Sequence, residues 1–341
     1  MEERLSAARE AAPAAGEELV VDVRGSVATV TLNRPAVHNA LSFGMLQGLA
    51  KRLDDWERDA AVRTIVLRGA GGEAFCAGGD VRALHDGYLA GTDPHHEYFA
   101  FEYALDYRIH TYPKTLVAVI DGIVMGGGMG IAQGAGLRIA GDRTRMAMPE
   151  TAIGLFPDVG GTWFLSRCPG ELGTCLGLTG VTIGAADAIY CGLADVNVGD
   201  ALAAPELERL RPAIDRHFGH DSVAAILGSL EAEDRPGFRA WAGRTLELLR
   251  SRSPTLLMVT LEALRRGARL PLAECLRMEL NLVHGCFEQR DFLEGIRAML
   301  IDKDNRPRWN PPELAQVPPE TIRRFFAPRW EAARHPLAHL S

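Results

Sequence analysis

A chain of 341 residues with an apolar fraction of 47% can hold one large domain or two ordinary ones around a soluble core. Its formal net charge of −7 and pI near 5.8 leave no nucleic-acid footprint, although local N–H groups and a few basic side chains could still hold an anion. Six scattered cysteines (Cys76, Cys168, Cys175, Cys191, Cys275 and Cys286) without C-x-x-C spacing exclude a metal knuckle and fit reduced intracellular thiols used as core filler. Residues 1–18, rich in Ala and Glu, lack the apolar centre of a secretion signal and carry early acids that a transit peptide avoids. They are expected as an N-terminal extension outside the core. The expected compartment is the cytosol for a bacterial source, with a processed mitochondrial form left open.

Residues 19–32, LVVDVRGSVATVTL, predict two strands about an Arg24-Gly25 turn. The polar loop NRPAVHNALS then enters a helix running to about Asp59, with Met45, Leu46, Leu49, Leu53 and Trp56 at helical spacing. RTIVLR at 63–68 returns as a strand, and GAGGEAFCAGGDVRAL is a glycine-rich turn opening a helix near Asp80. A linker and the aromatic helix YFAFEYALDYRIHTY fill residues 86–112. Within that linker His95-His96 predict a solvated pair, since no further ligand stands at metal-binding spacing.

The chain is organised around residues 113–162. Leu116 to Ile120 is a β-branched apolar run suited to a buried strand. Gly126, Gly127 and Gly128 follow, where the backbone turns sharply or lets a ligand approach, and Met129 to Ala135 continue as a helix. The first N–H groups of such a helix have no intrahelical partner, and a donor there suits a developing oxyanion. Seven glycines and Asp121 within residues 115–136 argue against a membrane span, and Ile131 and Gln133 break the G-x-G-x-x-G dinucleotide pattern. Glu150 and Asp158 fall in a segment interrupted by Gly154 and Pro157, so a folded turn must bring them together. Spacing alone equally allows Asp158 as a helix N-cap and Glu150 as a first-turn helix acid. Beyond Gly161 the pattern is mainly helical. Charged amphipathic helices occupy 205–250, further helices 254–301, and a proline-rich tail with short helices ends the chain.

Two glycine turns and an acidic pair in this order resemble the crotonase (enoyl-CoA hydratase/isomerase) superfamily. LNRPAVHNAL, AFCAGGDVRAL, DGIVMGGGMG and MPETAIGLFPDVGGT carry the resemblance. PETAIGLFPDVGG, with SPTLLMVTLEAL, LAECLRMELNLV and DFLEGIRAMLIDKDNRPRWNP further on, looks like the 3-hydroxyisobutyryl-CoA hydrolase branch. The resemblance spans roughly residues 19–315. It implies an α/β fold, a crotonase-like spiral of repeated β-β-α units with a C-terminal helical region. The corresponding boundaries are an extension at 1–18, a spiral core at 19–200, helices at 201–315 and a tail at 316–341.

The resemblance also implies that the N–H groups of Gly79 and Gly127 form an oxyanion hole around a thioester carbonyl. Glu150 and Asp158 match the acids associated with hydrolysis, and Glu102 a substrate-contacting acid. Val37, His38, Ala77, Gly79, Asp80 and Val81 would line the CoA channel, with Arg34 and Lys303 as candidate phosphate partners. A hydratase has a glutamate two residues after its GGG run, where this chain has Gly130, and commonly a glycine at the position of Asp158. Hydrolysis of a short 3-hydroxyacyl-CoA, most like 3-hydroxyisobutyryl-CoA in valine breakdown, is therefore expected over hydration or isomerisation, and over acyl-CoA binding without turnover. No metal or separate cofactor is expected, since CoA belongs to the substrate. The expected partner is an acyl-CoA, not nucleic acid or membrane, with self-association left open. Cys76 is expected as a packed thiol, and Asp106 as structural or exposed.

Overall fold

The computed structural model describes residues 17–199 and 202–341. The expected extension at 1–18 and boundary at 200–201 lie almost wholly outside these residues. Strands β1 (Leu19–Arg24) and β2 (Val27–Leu32) form an antiparallel hairpin through Gly25, whose φ of 59° suits the turn. In β2 the alternating Ala28, Val30 and Leu32 are buried and face the core. Helix α1 (Phe43–Arg58) starts where the Ser42 hydroxyl accepts from Met45 N at 3.1 Å, and buries Met45, Leu46, Leu49, Leu53 and Trp56.

From β3 onward the chain repeats one move. A long strand enters one sheet, a three-residue strand enters a second, and a helical segment follows. The first turn is β3 (Thr64–Gly69), β4 (Ala74–Cys76) and α2 (Val81–Leu89); α3 (His95–His110) is inserted after it. The second is β5 (Thr115–Ile120), β6 (Ile123–Met125) and α4 (Gly127–Gly134). The third is β7 (Leu137–Ala140), β8 (Arg145–Ala147) and the 3₁₀ turn Glu150–Ile153, leading to α5 (Gly161–Leu165), α6 (Leu172–Thr179) and α7 (Ala185–Tyr190). Strand β9 (Val196–Asn197) completes a six-stranded sheet ordered β1-β2-β3-β5-β7-β9, while the short strands form a sheet ordered β4-β6-β8. Among the described strands every strand-to-strand pairing beyond the β1–β2 hairpin is parallel, and β8 adds one isolated antiparallel bridge between Met146 and Ile183. This is the expected spiral. The three-residue strands escaped the sequence because so short a run carries no readable period.

Helices α8 (Glu206–Phe218), α9 (Val223–Glu231), α10 (Arg239–Arg250), α11 (Pro254–Gly267), α12 (Leu272–Gln289) and α13 (Asp291–Ile296) follow. The segment expected as a tail is docked, with α14 (Pro319–Phe325) and the buried Phe325, Leu337 and Leu340 packed on the helical layer. Arg277 Nε donates to Leu337 O at 3.1 Å, and Arg329 pairs with Glu288 through both carboxylate oxygens at 2.7 and 2.9 Å. No described helix is long and apolar enough to cross a membrane.

Asn39 pins the first loop to this frame. It is fully buried at φ 58°, and its Nδ2 donates to Ala70 O and Ala74 O at 3.0 and 2.9 Å. Its Oδ1 accepts from Arg34 N at 2.9 Å. Asn39→Ala removes these three hydrogen bonds and puts alanine in a backbone conformation that it disfavours. Chemical denaturation is expected to show a loss of about 3 kcal/mol or more; a loss below about 1 kcal/mol would assign the loop's position to other contacts.

Candidate active site

The small parallel sheet assembles the site at its C-terminal edge. Cys76 stands opposite Val124, and Met125 opposite Ala147. Residues a few positions beyond each strand end therefore lie side by side, which brings Gly79, Gly127 and Glu150 together. Leu41 fixes the first turn: its N–H donates to Gly78 O at 2.8 Å and its carbonyl accepts from Asp80 N at 3.0 Å. That parallel bridge uses the groups on either side of Gly79 and leaves the Gly79 N–H facing the other way. The second turn requires glycine at Gly126, with φ 49° and ψ −125°. Gly127 is then the first residue of α4, so its N–H has no intrahelical partner. Neither N–H donates to any described residue, and Gly79 N lies 3.3 Å from where a Cβ on Gly127 would stand. Two free donors converge on one small volume.

Carboxyl groups close around that volume. Glu150 Oε1 lies 3.1 Å from the Cβ position of Gly126, and Glu102 Oε1 2.5 Å from that of Gly127. Asp158 accepts from the Tyr103 hydroxyl at 2.6 Å. Glu102, Asp106, Glu150 and Asp158 are 2%, 5%, 5% and 4% exposed, and Glu102 Oε1, Glu150 Oε2 and both oxygens of Asp106 lack partners. Burial, and then the Asp158 charge, push Glu102 and Glu150 well above the usual carboxyl range; burial and the Glu102 charge do the same to Asp106. Burial also raises Asp158, but the Tyr103 hydrogen bond holds it to about 6. The cluster at neutral pH thus keeps its charge mainly on Asp158 and its protons on the neighbours.

The turn that carries Asp158 is strained, since Val159 is β-branched and sits at φ 50°. Glu279 of α12, fully buried, holds it by accepting from Gly160 N at 2.7 Å and Thr162 N at 3.0 Å. Asp158 is not a helix cap: α5 begins behind Gly160 with no side-chain cap.

The family profile described as enoyl-CoA hydratase/isomerase matches residues 27–210 and 199–326. The chain belongs to the enoyl-CoA hydratase/isomerase family. Among relatives of this family member, "3-hydroxyisobutyryl-CoA hydrolase, mitochondrial" from Gallus gallus is 39% identical over 91% of this chain and 89% of its own. "3-hydroxyisobutyryl-CoA hydrolase 1" from Arabidopsis thaliana is 36% identical over 92% of each. A crystal structure named as a carnitinyl-CoA dehydratase from Mycobacterium thermoresistibile superposes with a TM-score of 0.87 at 39% identity, covering 92% of this chain and 97% of that one. One named as an enoyl-CoA hydratase from Rhodobacter sphaeroides gives 0.86 at 38%, covering 92% and 98%.

The structure gathers Gly79, Gly127, Glu102, Glu150 and Asp158 as a group. It also joins the expected CoA-channel positions, since Ala77 N donates to His38 O at 2.9 Å and sets Val37 and His38 beside the run Ala77–Val81. Arg34 is engaged otherwise, pairing with Asp80 at 3.0 Å and Glu18 at 3.1 Å, which makes it a structural clamp. Lys303 is exposed, and its loop is brought to α2 by Arg82 donating to Leu300 O at 2.6 Å. The helix expected from Met129 begins at Gly127, because the turn closes at Gly126. Sequence reasoning missed Tyr103 and Glu279, and expected Asp106 to be structural or exposed where it is buried and unpartnered. Asp106 shares a helix face with Glu102 at i, i+4 and with Tyr103 at i, i+3, but only the fold shows which face turns inward.

The Asp158 shift has a sign. Between an unfolded value of about 4 and the folded value of about 6, the native state binds the proton more tightly, so this group's contribution to stability falls as pH rises through that window. Asp158→Asn should gain on the wild type by up to about 3 kcal/mol between pH 4 and pH 7 in denaturant titrations. A difference that stays flat across that range would show that the charge is not buried there.

Proposed function

We propose that this enzyme hydrolyses 3-hydroxyisobutyryl-CoA to 3-hydroxyisobutyrate and CoA, with Gly79 and Gly127 holding the thioester oxygen and Glu150 attacking its carbon. The convergence of two unpartnered N–H groups beside the Glu150 carboxyl supports this reading most strongly. Its relatives carry the hydrolase name, whereas two solved structures of similar identity carry hydratase or dehydratase names. Position 130 favours the former. Hydration needs a second acid or base beside the double bond. Gly130 supplies none, and a Cβ there would lie 2.7 Å from Val159 Cβ and 2.8 Å from Asp106 Oδ2. The wall on which a hydratase carries its glutamate is closed, and the acid comes instead from Asp158.

The steps balance as follows. One proton passes between Glu150 and Asp158, as in other close carboxyl pairs. With the proton on Asp158, the Glu150 carboxylate adds to the thioester carbon and the two N–H groups stabilise the oxyanion. Collapse breaks the C–S bond, and the thiolate leaves as the thiol after taking that proton. Water then attacks the mixed anhydride at the Glu150 carboxyl carbon, Asp158 takes the water's proton, and the free acid and Glu150 are regenerated. Glu102, whose Oε1 lies 2.5 Å from the Cβ position of Gly127 and makes no hydrogen bond, would bind the substrate 3-hydroxyl. Loss or misdirection of one oxyanion donor costs about 10²–10³ in turnover.

Gly127→Ala should lower kcat by that factor in a thiol-release assay with 3-hydroxyisobutyryl-CoA, because its methyl group would stand 3.3 Å from Gly79 N and 2.5 Å from Glu102 Oε1 and so crowd the hole. Near wild-type turnover would remove Gly127 from the hole. Glu150→Gln should abolish most turnover while retaining CoA-ester binding, and single turnover of the wild type in oxygen-18 water should place label in Glu150 rather than in the first acid released. Label appearing directly in that acid would replace the anhydride by general-base attack of water. Loss of enoyl absorbance without thiol release would instead make the protein a hydratase.

A further inference from the structure

His95 and His96 do not form a solvated linker pair. They open α3, and His284 of α12 meets them from a position nearly two hundred residues later in the chain. One ligand nitrogen from each ring lies within 4.8 Å of the other two. His95 is 3% exposed and His284 5%, while His96 is exposed. None of the three imidazoles makes a hydrogen bond to a described residue, and His95 Nδ1 is buried with no partner at all. A buried imidazole nitrogen without a partner costs about 1–3 kcal/mol, and His95 Nδ1 is one. Phe287 stacks on His95 at 4.0 Å and fixes the plane of its ring, and Trp330 meets His284 edge-on at 5.1 Å.

We infer that His95, His96 and His284 form a binding site for a divalent transition ion of the zinc class, with the fourth coordination position open to water. Imidazole suits such ions, and three protein ligands plus water is a regular zinc arrangement. Two imidazoles bound at about 2.1 Å put their ring centroids about 5 Å apart; those of His95 and His284 are 5.6 Å apart. The His96 ring leans on both, at 4.2 and 4.3 Å, and being exposed it can rotate to turn a nitrogen towards the ion. The His95 and His284 rings are buried, and burial favours the neutral imidazole, the form that ligates a metal ion. Asp93, just ahead of α3, offsets the positive helix end and the neighbouring imidazole. The ion would join α3, which carries Glu102, Tyr103 and Asp106, to α12, which carries Glu279. It therefore clamps together two helices that wall the candidate active site, without entering it.

The test uses the full chain stripped with a chelator and titrated with Co²⁺, read by its visible ligand-field bands, then with Zn²⁺ by calorimetry and thermal unfolding. One ion per chain is expected, with a rise in Tm on Zn²⁺ addition. His96→Ala, at an exposed position that the fold does not need, should weaken binding at least tenfold, abolish the Tm shift and leave thiol release unchanged; His284→Gln should also lose the ion. Absence of saturable binding up to millimolar metal, or binding that His96→Ala leaves untouched, overturns the site. Either result is independent of whether the chain is a thioesterase.

Discussion

Burying Glu102, Asp106, Glu150 and Asp158 beside two unpaired main-chain N–H groups forces a choice on the protein, because four carboxylates cannot all ionise in one dry volume. Three of them rise well above their usual range, and the one with a phenol hydrogen bond retains the charge. Such a cluster is costly to fold around. What it provides is a dry volume in which several acids stand close together and N–H dipoles act at low dielectric. The orphaned oxygens of Glu102, Asp106 and Glu150 are the structural trace of that cost.

The scaffold tolerates the cost because the parts are fixed from several directions. The small sheet sets 79, 127 and 150 by register alone, and Leu41 turns the first amide outwards by occupying its neighbours. Asp158 has no strand to place it. Its turn is held in a strained conformation by Glu279 from the C-terminal layer and by Tyr103 from the inserted helix. Two carboxyls therefore reach the site by different routes, one on the spiral and one on a turn that needs the helical layer. Burial lifts Glu279 to about 8 despite its three hydrogen bonds, so the second route adds to the buried acid load.

Position 130 has no room for a side chain. With no side chain there, α4 packs closely on α3, and Asp106 and Val159 fill the space. Asp158 lies beyond the third spiral repeat, on the turn that Glu279 and Tyr103 hold. The histidines belong to the same packing: α3 and α12 bring His95 and His284 into contact as they bring Tyr103 and Glu279 to the Asp158 turn.

The sequence by itself determined the long strands and the two glycine turns, and its resemblance to the crotonase superfamily implied the spiral class and the candidate site residues. The strands and turns are local: a β-branched run, a GGG turn and a helix start each have a physical reason within a few positions. Asp158 was ambiguous between cap and acid because both uses need the same residue before the same glycines. Only the tertiary structure decided it, by placing Tyr103, fifty-five positions away, against its carboxylate. It likewise decided that Arg34 is a clamp, that the end of the chain is docked, and that two histidines gain a third. Each of these depends on residues far apart in sequence meeting in a dry interior, where a hydrogen bond or a charge has large consequences and spacing along the chain carries no information about it.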